Sequence, residues 1–473
     1  MNKKTITPLV GLTSILCMNF QTGSLPQGGT ESEGEINAPN ILILWVDDLV
    51  PALNTYGMDY AISPNIDKLA SRSAVFQRAY ASVPVCGASR ASLLTGLHPT
   101  PDRFTSFNSR ADREAPGIVS VPEMFKDNGY ETISIGKVFH DRDDHGTAAW
   151  SNLDPLDRYD YQFVWLDPES EQWPGPRGRG PFYEKPDVSD WDYFDGMITQ
   201  RAIAELDRLE GSDAPFFLAL GYFNPHLPFY APRRYWDLYD RDEIPLAEFR
   251  QRPEGAPGSL GGSGEIRAYG DRDVEYNSEE FHRIAKHGYL ACVSYVDALI
   301  GHVMEALERN GFADNTIILL MGDHGFHLGE HNFWGKHTLL HGALHTPLMI
   351  TRPGQQPMDI YTPVSLVDVA PTLLDLASLE KPDYFHGHSL LESLDGKLDQ
   401  LEGITYSRWQ SGDAVVNSRW IYAEYDNGEA MLLDMENDPL ATRNAVNDSD
   451  NADAVNLLKE RLHQFRTQAR VLP

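Results

Sequence analysis

The sequence predicts an α/β protein: a large mixed, mainly parallel sheet sandwiched by helices, followed by a smaller C-terminal antiparallel α+β subdomain. Apolar runs of strand length alternate with helical patterns over most of the 473 residues, which is typical of a parallel sheet covered on both faces. From about residue 379 the pattern changes to short alternating strands with turns and one amphipathic helix, which is typical of an antiparallel subdomain.

The predicted elements follow one another in a regular order. In the first part, strands are predicted at residues 40–46, 130–135, 216–222 and 316–321, and helices at 66–73, 88–96, 121–128, 196–209 and 281–309. In the second part, strands are predicted at 404–406, 414–417, 420–425 and 430–434, and a helix at 452–469. Cys292 falls in the long helical pattern and is expected to be a small buried hydrophobe.

The chain is strongly acidic, with 69 acidic residues against 39 basic ones and a net charge of -30. This balance argues against nucleic acid as a partner, because such binding needs clustered lysines and arginines. It also argues against docking on anionic membranes. An anionic substrate would therefore require a few basic groups concentrated in one local pocket.

The N-terminus has the pattern of a signal peptide, which we assign to residues 1–23. Lys3 and Lys4 precede an apolar run at residues 6–18, which is too short to span a bilayer. We therefore predict an exported protein, periplasmic or secreted, with no transmembrane segment. A lipid anchor at Cys17 is the alternative, which the large Leu16 disfavours. Residues 24–37 are predicted to form a linker.

Cys86 opens the segment Cys-Gly-Ala-Ser-Arg, which ends at Arg90 and begins a predicted helix. An exported protein usually uses its cysteines in disulfide pairs, so a cysteine in a polar turn needs its own explanation. Because Cys86 lies at the start of the predicted helix, the backbone N–H groups and the positive end of the helix dipole would face an anion bound beside it.

Acidic residues follow two of the predicted strands. Asp47 and Asp48 come directly after the first strand, and Asp323 and His324 come after a later one. Carboxylates that converge from neighbouring strand ends form a cation site, and an oxygen-rich shell suits a hard ion. The sequence predicts Ca²⁺ here and leaves Mg²⁺ as the alternative.

Basic residues occur in three further short segments. Lys137 and His140 lie in Gly-Lys-Val-Phe-His after a strand, His226 lies in Pro-His-Leu-Pro-Phe, and Lys336 ends Trp-Gly-Lys. Together with Cys86 and the two acidic pairs, and in this order, they resemble the type I sulfatase family of the alkaline phosphatase superfamily, closest to its iduronate-2-sulfatase branch. The resemblance covers nearly the whole chain from Asn40 and implies an alkaline phosphatase-like catalytic domain at residues 38–378, with the subdomain at 379–473.

The resemblance implies that Cys86 is oxidised after translation to formylglycine (3-oxoalanine) by a separate maturation enzyme. One oxygen of the aldehyde hydrate then attacks the sulfur of a sulfate ester, and the second hydroxyl later expels sulfate. A plain cysteine or serine would stay trapped as a sulfated ester. The commonest family motif has proline where Ala88 stands, which leaves open the type of maturation enzyme.

The resemblance also implies the roles of the site residues. The metal ligands would be Asp47, Asp48, Cys86, Asp323 and His324. Arg90, Lys137 and Lys336 would bind the sulfate oxygens, His140 would orient or deprotonate the hydrate, and His226 would protonate the leaving oxygen.

Six histidines lie between residues 324 and 345, namely His324, His327, His331, His337, His341 and His345. Their spacing allows a zinc site as an alternative, although glycines interrupt any continuous helix. We expect His327 and His331, with the adjacent Trp334, to line the substrate cleft, and the others to be structural or exposed.

Two long insertions interrupt the alternation of strands and helices. Residues 141–195 carry Trp150, Tyr159, Tyr161, Trp165 and Trp173, which either stack on sugar rings or pin the segment to the core. Residues 250–273 are rich in glycine and proline, and a solvated loop is the interpretation that this composition favours.

The predicted function is hydrolysis of a sulfate ester on a carbohydrate, either a uronic acid 2-sulfate or a marine polysaccharide such as ulvan. The first alternative is a phosphonate monoester or phosphodiester hydrolase of the same superfamily. The second is a glycan-binding relative without catalysis, which the complete set of catalytic residue types disfavours.

Overall fold

The computed structural model describes residues 38–153, 164–398 and 402–471. The predicted signal peptide, the linker and Cys17 lie outside the described residues, as do Tyr159 and Tyr161 of the first insertion. The residues from Ala38 onward form one compact unit, so the boundary at residue 379 stays a prediction.

The strands of the described residues are β1 (Asn40–Val46), β2 (Ala74–Tyr80), β3 (Glu131–Gly136), β4 (Asn152–Leu153), β5 (Tyr183–Glu184), β6 (Phe216–Tyr222), β7 (Phe229–Tyr230), β8 (Thr316–Gly322), β9 (His327–Leu328), β10 (Trp334–Gly335), β11 (His345–Thr351), β12 (Met358–Ile360), β13 (Val364–Ser365), β14 (Thr405–Trp409), β15 (Gly412–Val416), β16 (Trp420–Tyr425) and β17 (Ala430–Asp434). The core of the unit is a nine-stranded mixed sheet in the order β12-β2-β11-β8-β1-β6-β3-β4, with β13 also paired to β2. All neighbouring pairs are parallel except the two made by β11.

Helices cover both faces of the sheet. Side chains of β1 alternate between two separate apolar clusters, with Leu42 and Leu44 in one and Ile41 and Ile43 in the other. Because both faces are buried, the strand is apolar throughout. The helices are α1 (Pro64–Ala70), α2 (Cys86–Thr95), α3 (Ala111–Glu114), α4 (Val121–Asp127), α5 (Gly146–Ala149), α6 (Phe194–Leu209), α7 (Arg233–Trp236), α8 (Glu279–Arg309), α9 (His341–Leu344), α10 (Val369–Leu376), α11 (Leu391–Leu394) and α12 (Ala452–Gln468).

The predicted fold class is confirmed in both of its parts. Strands β1, β6, β16 and β17 have the predicted bounds, and α2 begins two residues earlier than predicted, at Cys86. The C-terminal strands β14 to β17 form a four-stranded antiparallel sheet. Helix α12 packs on it through the buried Leu458 and Leu462.

Helix α8 is the long core helix that the sequence predicted. Among the described residues it is the one helix with the length and hydropathy of a membrane span, and 83% of its apolar window is buried inside the protein. Cys292 lies in this helix with no exposed surface, as expected for a small buried hydrophobe.

Candidate active site

Four parallel strands end at one edge of the sheet and bring their following residues together there. Asp47 follows β1, Lys137 follows β3, and Asp323 follows β8, while β6 leads through Phe223 towards His226. Since parallel strands share the orientation of their carboxyl ends, residues far apart in the chain meet at this edge. Gly221 in β6 is required here, because a Cβ at this position would lie 2.0 Å from the Lys137 carbonyl oxygen.

Arg90 connects two of the buried carboxylates. Its Nη2 lies 3.0 Å from Oδ1 of Asp47, and its Nε lies 3.0 Å from Oδ2 of Asp323. It also donates to the carbonyl oxygens of Lys137 and Val138, and Lys137 pairs with the other oxygen of Asp47. Burial raises the pKa of Asp47, but Lys137 and Arg90 outweigh burial and hold it well below its usual range.

Asp48 adopts a left-handed backbone conformation with φ 59°, and its carbonyl accepts from the Tyr289 hydroxyl at 2.9 Å. This turn aims its carboxylate at Lys336, whose Nζ lies 2.8 and 2.9 Å from the two oxygens. Burial lowers the pKa of Lys336, but Asp48 together with the other acidic groups around it outweighs burial, and the pKa lies well above its usual value. Lys336 Nζ also lies 3.6 Å from Cys86 Sγ.

His324 has the orientation of a metal ligand. Its Nδ1 lies 2.9 Å from the Gly325 carbonyl oxygen; since a carbonyl can only accept, Nδ1 carries the proton and Nε2 presents a lone pair. That Nε2 lies 3.3 Å from Cys86 Sγ, 3.5 Å from Asp48 Oδ1 and 3.7 Å from Asp323 Oδ2.

The residues at this edge fit a hard divalent cation. Ligand atoms of Asp47, Asp48 and Asp323 lie within 4.8 Å of one another, and those of Asp48, Cys86 and His324 form an overlapping group. The three carboxylates and His324 are fully buried, and such carboxylates require nearby positive charge. A donor set dominated by carboxylate oxygen suits Ca²⁺ or Mg²⁺.

Cys86 lies at the first position of α2, directly beside this group. Burial raises the pKa of its thiol well above the usual value, and Asp47 adds to the rise. The unmodified side chain is therefore a neutral thiol, and a thiolate nucleophile is disfavoured here.

A cleft of about 580 Å³ opens over Cys86. Four residues that the sequence predicted as catalytic line it, namely Lys137, His140, His226 and Lys336. Burial, followed by Lys137, lowers the pKa of His140 to about 2, so its imidazole is neutral at neutral pH.

Arg90 does not line this cleft, in contrast to its predicted contact with sulfate. Its side chain has no exposed surface, because its donors point at Asp47, Asp323 and the backbone beneath the site. The structure therefore makes Arg90 a positioning group for the carboxylates.

His327, His331 and Trp334, which the sequence predicted as substrate contacts, do not line this cleft. His327 is fully buried against the Thr338 hydroxyl at 2.8 Å, and Trp334 donates to His282 at 2.9 Å. His327 and Trp334 lie in the paired strands β9 and β10, and both are fully buried. Of the six histidines, only His324 joins a metal-type group within the described part of the chain, which gives a zinc site no support.

The loop at residues 250–273 contributes to the cleft, contrary to its interpretation as a solvated loop. It places Glu265, Arg267 and Tyr269 on the lining. Gly335 has φ 113°, and a Cβ there would lie 2.6 Å from Ser263, so the absence of a side chain lets the loop pack beside Lys336. The glycines of the loop were the one signal in the sequence that could have indicated such close packing.

His337 also lies at the cleft. The sequence predicted it as structural or exposed, but it lines the cleft and its ring stacks on that of Trp409, with 4.7 Å between the ring centroids.

The first insertion is anchored by Trp150, which is buried in the core with its ring centroid 6.2 Å from that of Phe217. Arg179 of that insertion also lines the cleft.

Comparison with known proteins gives matches over most of the chain. Residues 39–379 match the family model described as sulfatase, and residues 329–468 match the model described as N-sulphoglucosamine sulphohydrolase, C-terminal. The chain is 35% identical to iduronate 2-sulfatase of Homo sapiens over 401 residues, which are 75% of this chain and 71% of that protein.

Two further matches cover more of the chain. A protein named sulfatase from Formosa agariphila is 31% identical over 439 residues, covering 87% of this chain and 84% of that protein. The crystal structure of a phosphonate monoester hydrolase of Agrobacterium radiobacter superposes with a TM-score of 0.76 at 21% identity, covering 91% of this chain and 96% of that chain. At that identity the likeness concerns the fold alone.

We expect Arg90→Met to destabilise the protein strongly, because it leaves Asp47 and Asp323 with less compensating charge. Breaking a buried ion pair in this way costs about 3–5 kcal/mol of the free energy of unfolding, which urea denaturation with a chelator present would measure. The control is Arg72→Met, which removes a half-exposed pair with Glu308 at 3.6 Å and should cost about 0–1 kcal/mol. Equal losses for the two variants would contradict the compensating role of Arg90.

Proposed function

Because the chain belongs to the sulfatase family and is therefore a sulfuric ester hydrolase, we propose that it removes sulfate from a sulfated carbohydrate with a formylglycine made from Cys86. The observation that carries this proposal is the position of Cys86. It lies at the start of α2, within 3.6 Å of Lys336 and 3.3 Å of His324, at the base of a cleft lined by four predicted catalytic side chains.

The conversion of Cys86 requires a separate maturation enzyme that supplies a two-electron oxidant. The side-chain carbon is oxidised, its bond to sulfur breaks, sulfur leaves as hydrogen sulfide, and a water oxygen replaces it. In its hydrated form the resulting aldehyde supplies one hydroxyl that attacks the sulfate sulfur and a second that later expels the sulfate. The net reaction consumes one water and yields an alcohol and hydrogen sulfate.

The chain's own residues bind the sulfate and move the protons. Lys137 and Lys336 have buried ammonium groups on two sides of Cys86, where they would neutralise the sulfate oxygens. His140 is neutral and would orient the attacking hydroxyl or accept its proton. His226 presents Nε2 to the cleft, because its Nδ1 lies 2.5 Å from the Leu227 carbonyl oxygen, and would give a proton to the leaving oxygen.

Asp47, Asp48, Asp323 and His324 would hold the cation, for which we propose Ca²⁺, with the modified Cys86 beside it. When bound, the cation polarises a sulfate oxygen as a Lewis acid. The three carboxylates favour calcium over magnesium, which demands near-octahedral geometry and usually keeps several waters.

The substrate class rests on the relatives. One of them is named an iduronate 2-sulfatase, which supports a 2-sulfated uronic acid, and the acidic chain also suits a marine polysaccharide such as ulvan. The phosphonate monoester hydrolase with the same fold keeps a phosphodiester as the alternative. We also propose export, through residues 1–23 as a signal peptide.

We expect Cys86 to be an aldehyde in the active enzyme. Mass spectrometry of the peptide containing Cys86, after co-expression with a maturation enzyme, should give the mass loss of that oxidation together with reactivity towards a hydrazide probe. Cys86→Ala should be inactive, and Cys292→Ala, which changes the other described cysteine, should keep its hydrazide reactivity. Full activity with an intact thiol at position 86 would refute the formylglycine proposal.

Removal of the cation should abolish activity, because the sulfate would lose its Lewis acid. Activity should disappear in a chelator and return with Ca²⁺, and more weakly with Mg²⁺. We expect Asp323→Asn to require a higher concentration of Ca²⁺, since it removes one ligand charge, whereas Asp213→Asn, at an exposed position, should not. Full activity in the chelator, after dialysis, would contradict the metal site.

The reaction class and the substrate can be decided in one series of assays. The mature enzyme should hydrolyse 4-nitrophenyl sulfate faster than an aryl phosphodiester, because the chain belongs to the sulfatase family. A panel of sulfated oligosaccharides, scored by sulfate release, should be hydrolysed best at a 2-sulfated uronic acid or an ulvan fragment. A higher rate on the phosphodiester would favour the alternative.

A further inference from the structure

Glu265 brings a negative charge into a cleft that must bind an anion. It lies on the loop at residues 250–273, and its side chain is only 17% exposed. Among the described residues that line the cleft, it is the only carboxylate. Because a carboxylate here repels a sulfate ester, its presence requires a compensating role.

The carboxylate of Glu265 lies between two catalytic side chains, His226 and Lys336. Oε1 lies 3.3 Å from Nε2 of His226, and Oε2 lies 3.3 Å from Nζ of Lys336. Burial raises the pKa of Glu265, but Lys336 and His226 outweigh burial and hold it well below its usual value. The carboxylate is therefore ionised, and each of its oxygens faces one of these two side chains.

Glu265 is not needed to hold its own loop in place. The loop is anchored by the buried side chains of Ile266 and Tyr269, and the Tyr269 hydroxyl donates to the Leu227 carbonyl at 3.2 Å. The contacts of the Glu265 carboxylate are instead made with the catalytic groups, which are brought in by two other segments of the chain.

We propose that Glu265 is a positioning residue that fixes His226 Nε2 and Lys336 Nζ on the side of the sulfate from which the alcohol leaves. This role rests on the proposed sulfatase function and extends it. Without Glu265, Lys336 is still held by Asp48, whereas His226 Nε2 loses the charge that faces it at 3.3 Å and is less well positioned beside the leaving oxygen.

The step that depends on this geometry is cleavage of the S–O bond to the alcohol. The electron pair of that bond goes to the leaving oxygen, and the proton on His226 Nε2 is transferred to the same oxygen, so that a neutral alcohol leaves. A sugar hydroxyl is a poor leaving group and needs this proton, whereas 4-nitrophenolate is stable as an anion. Glu265 should therefore affect sugar sulfates much more than 4-nitrophenyl sulfate.

The test is Glu265→Gln in the mature enzyme, which keeps the shape of the side chain but removes its charge. We expect kcat for the fastest sugar sulfate of the panel to fall about 10–100-fold, as for the loss of part of a general-acid contribution. For 4-nitrophenyl sulfate we expect a change of less than about threefold in kcat by the same reasoning. Glu265→Asp should recover part of the activity on the sugar sulfate, since it restores the charge.

The matched control is Glu280→Gln at an exposed position of α8, which should change neither rate. Equal losses of Glu265→Gln on the two substrates, or no loss on either, would overturn the positioning role. Thermal unfolding of each variant checks that the fold is intact. A wild-type enzyme that releases sulfate from neither ester would overturn the proposed function itself, and this role with it.

Discussion

Charge compensation among buried carboxylates is the interaction on which the rest of the site depends. Asp47, Asp48 and Asp323 are fully buried at the carboxyl edge of the sheet, where unpaired negative charges would be very costly. Arg90, which is fully buried, pairs with Asp47 and Asp323. Lys336, which lines the cleft, pairs with Asp48. The parallel strand order makes this arrangement necessary, because it brings the acids that follow β1 and β8 to adjacent positions.

The same compensation explains how a chain with a net charge of -30 can bind an anion. Surface charges more than about 10 Å from the cleft are largely screened by salt. Lys137 and Lys336 are nearly buried, so their fields are screened far less. A cation held by the carboxylates would add to them, so the local potential is set by a few groups.

The two long insertions determine which further side chains line the cleft at the carboxyl edge of the sheet. The first insertion is pinned by Trp150, which packs in the core, and contributes Arg179 to the cleft. The glycine-rich loop packs beside Lys336 because Gly335 has no side chain, and so places Glu265 between His226 and Lys336. Both loops are therefore parts of the site, although their compositions alone favoured other interpretations.

The sequence by itself determined the α/β class, the strands β1, β6, β16 and β17, and the residue types that follow the strand ends. These features depend on local periodicity and on short sequence segments, which can be recognised without knowing the tertiary contacts. It also pointed to Cys86 and to four basic residues that the structure places on the lining of one cleft, namely Lys137, His140, His226 and Lys336.

Only the tertiary structure decided which way the remaining side chains point. Arg90 lies beneath the carboxylates, His327 and Trp334 turn into the core, and His337 and Glu265 reach the cleft. Each of these outcomes depends on partners that are distant in the chain, such as Asp47 and Asp323 for Arg90. Sequence spacing places a residue on an element, but burial and hydrogen-bond partners, which the packing of several elements supplies, determine what it contacts.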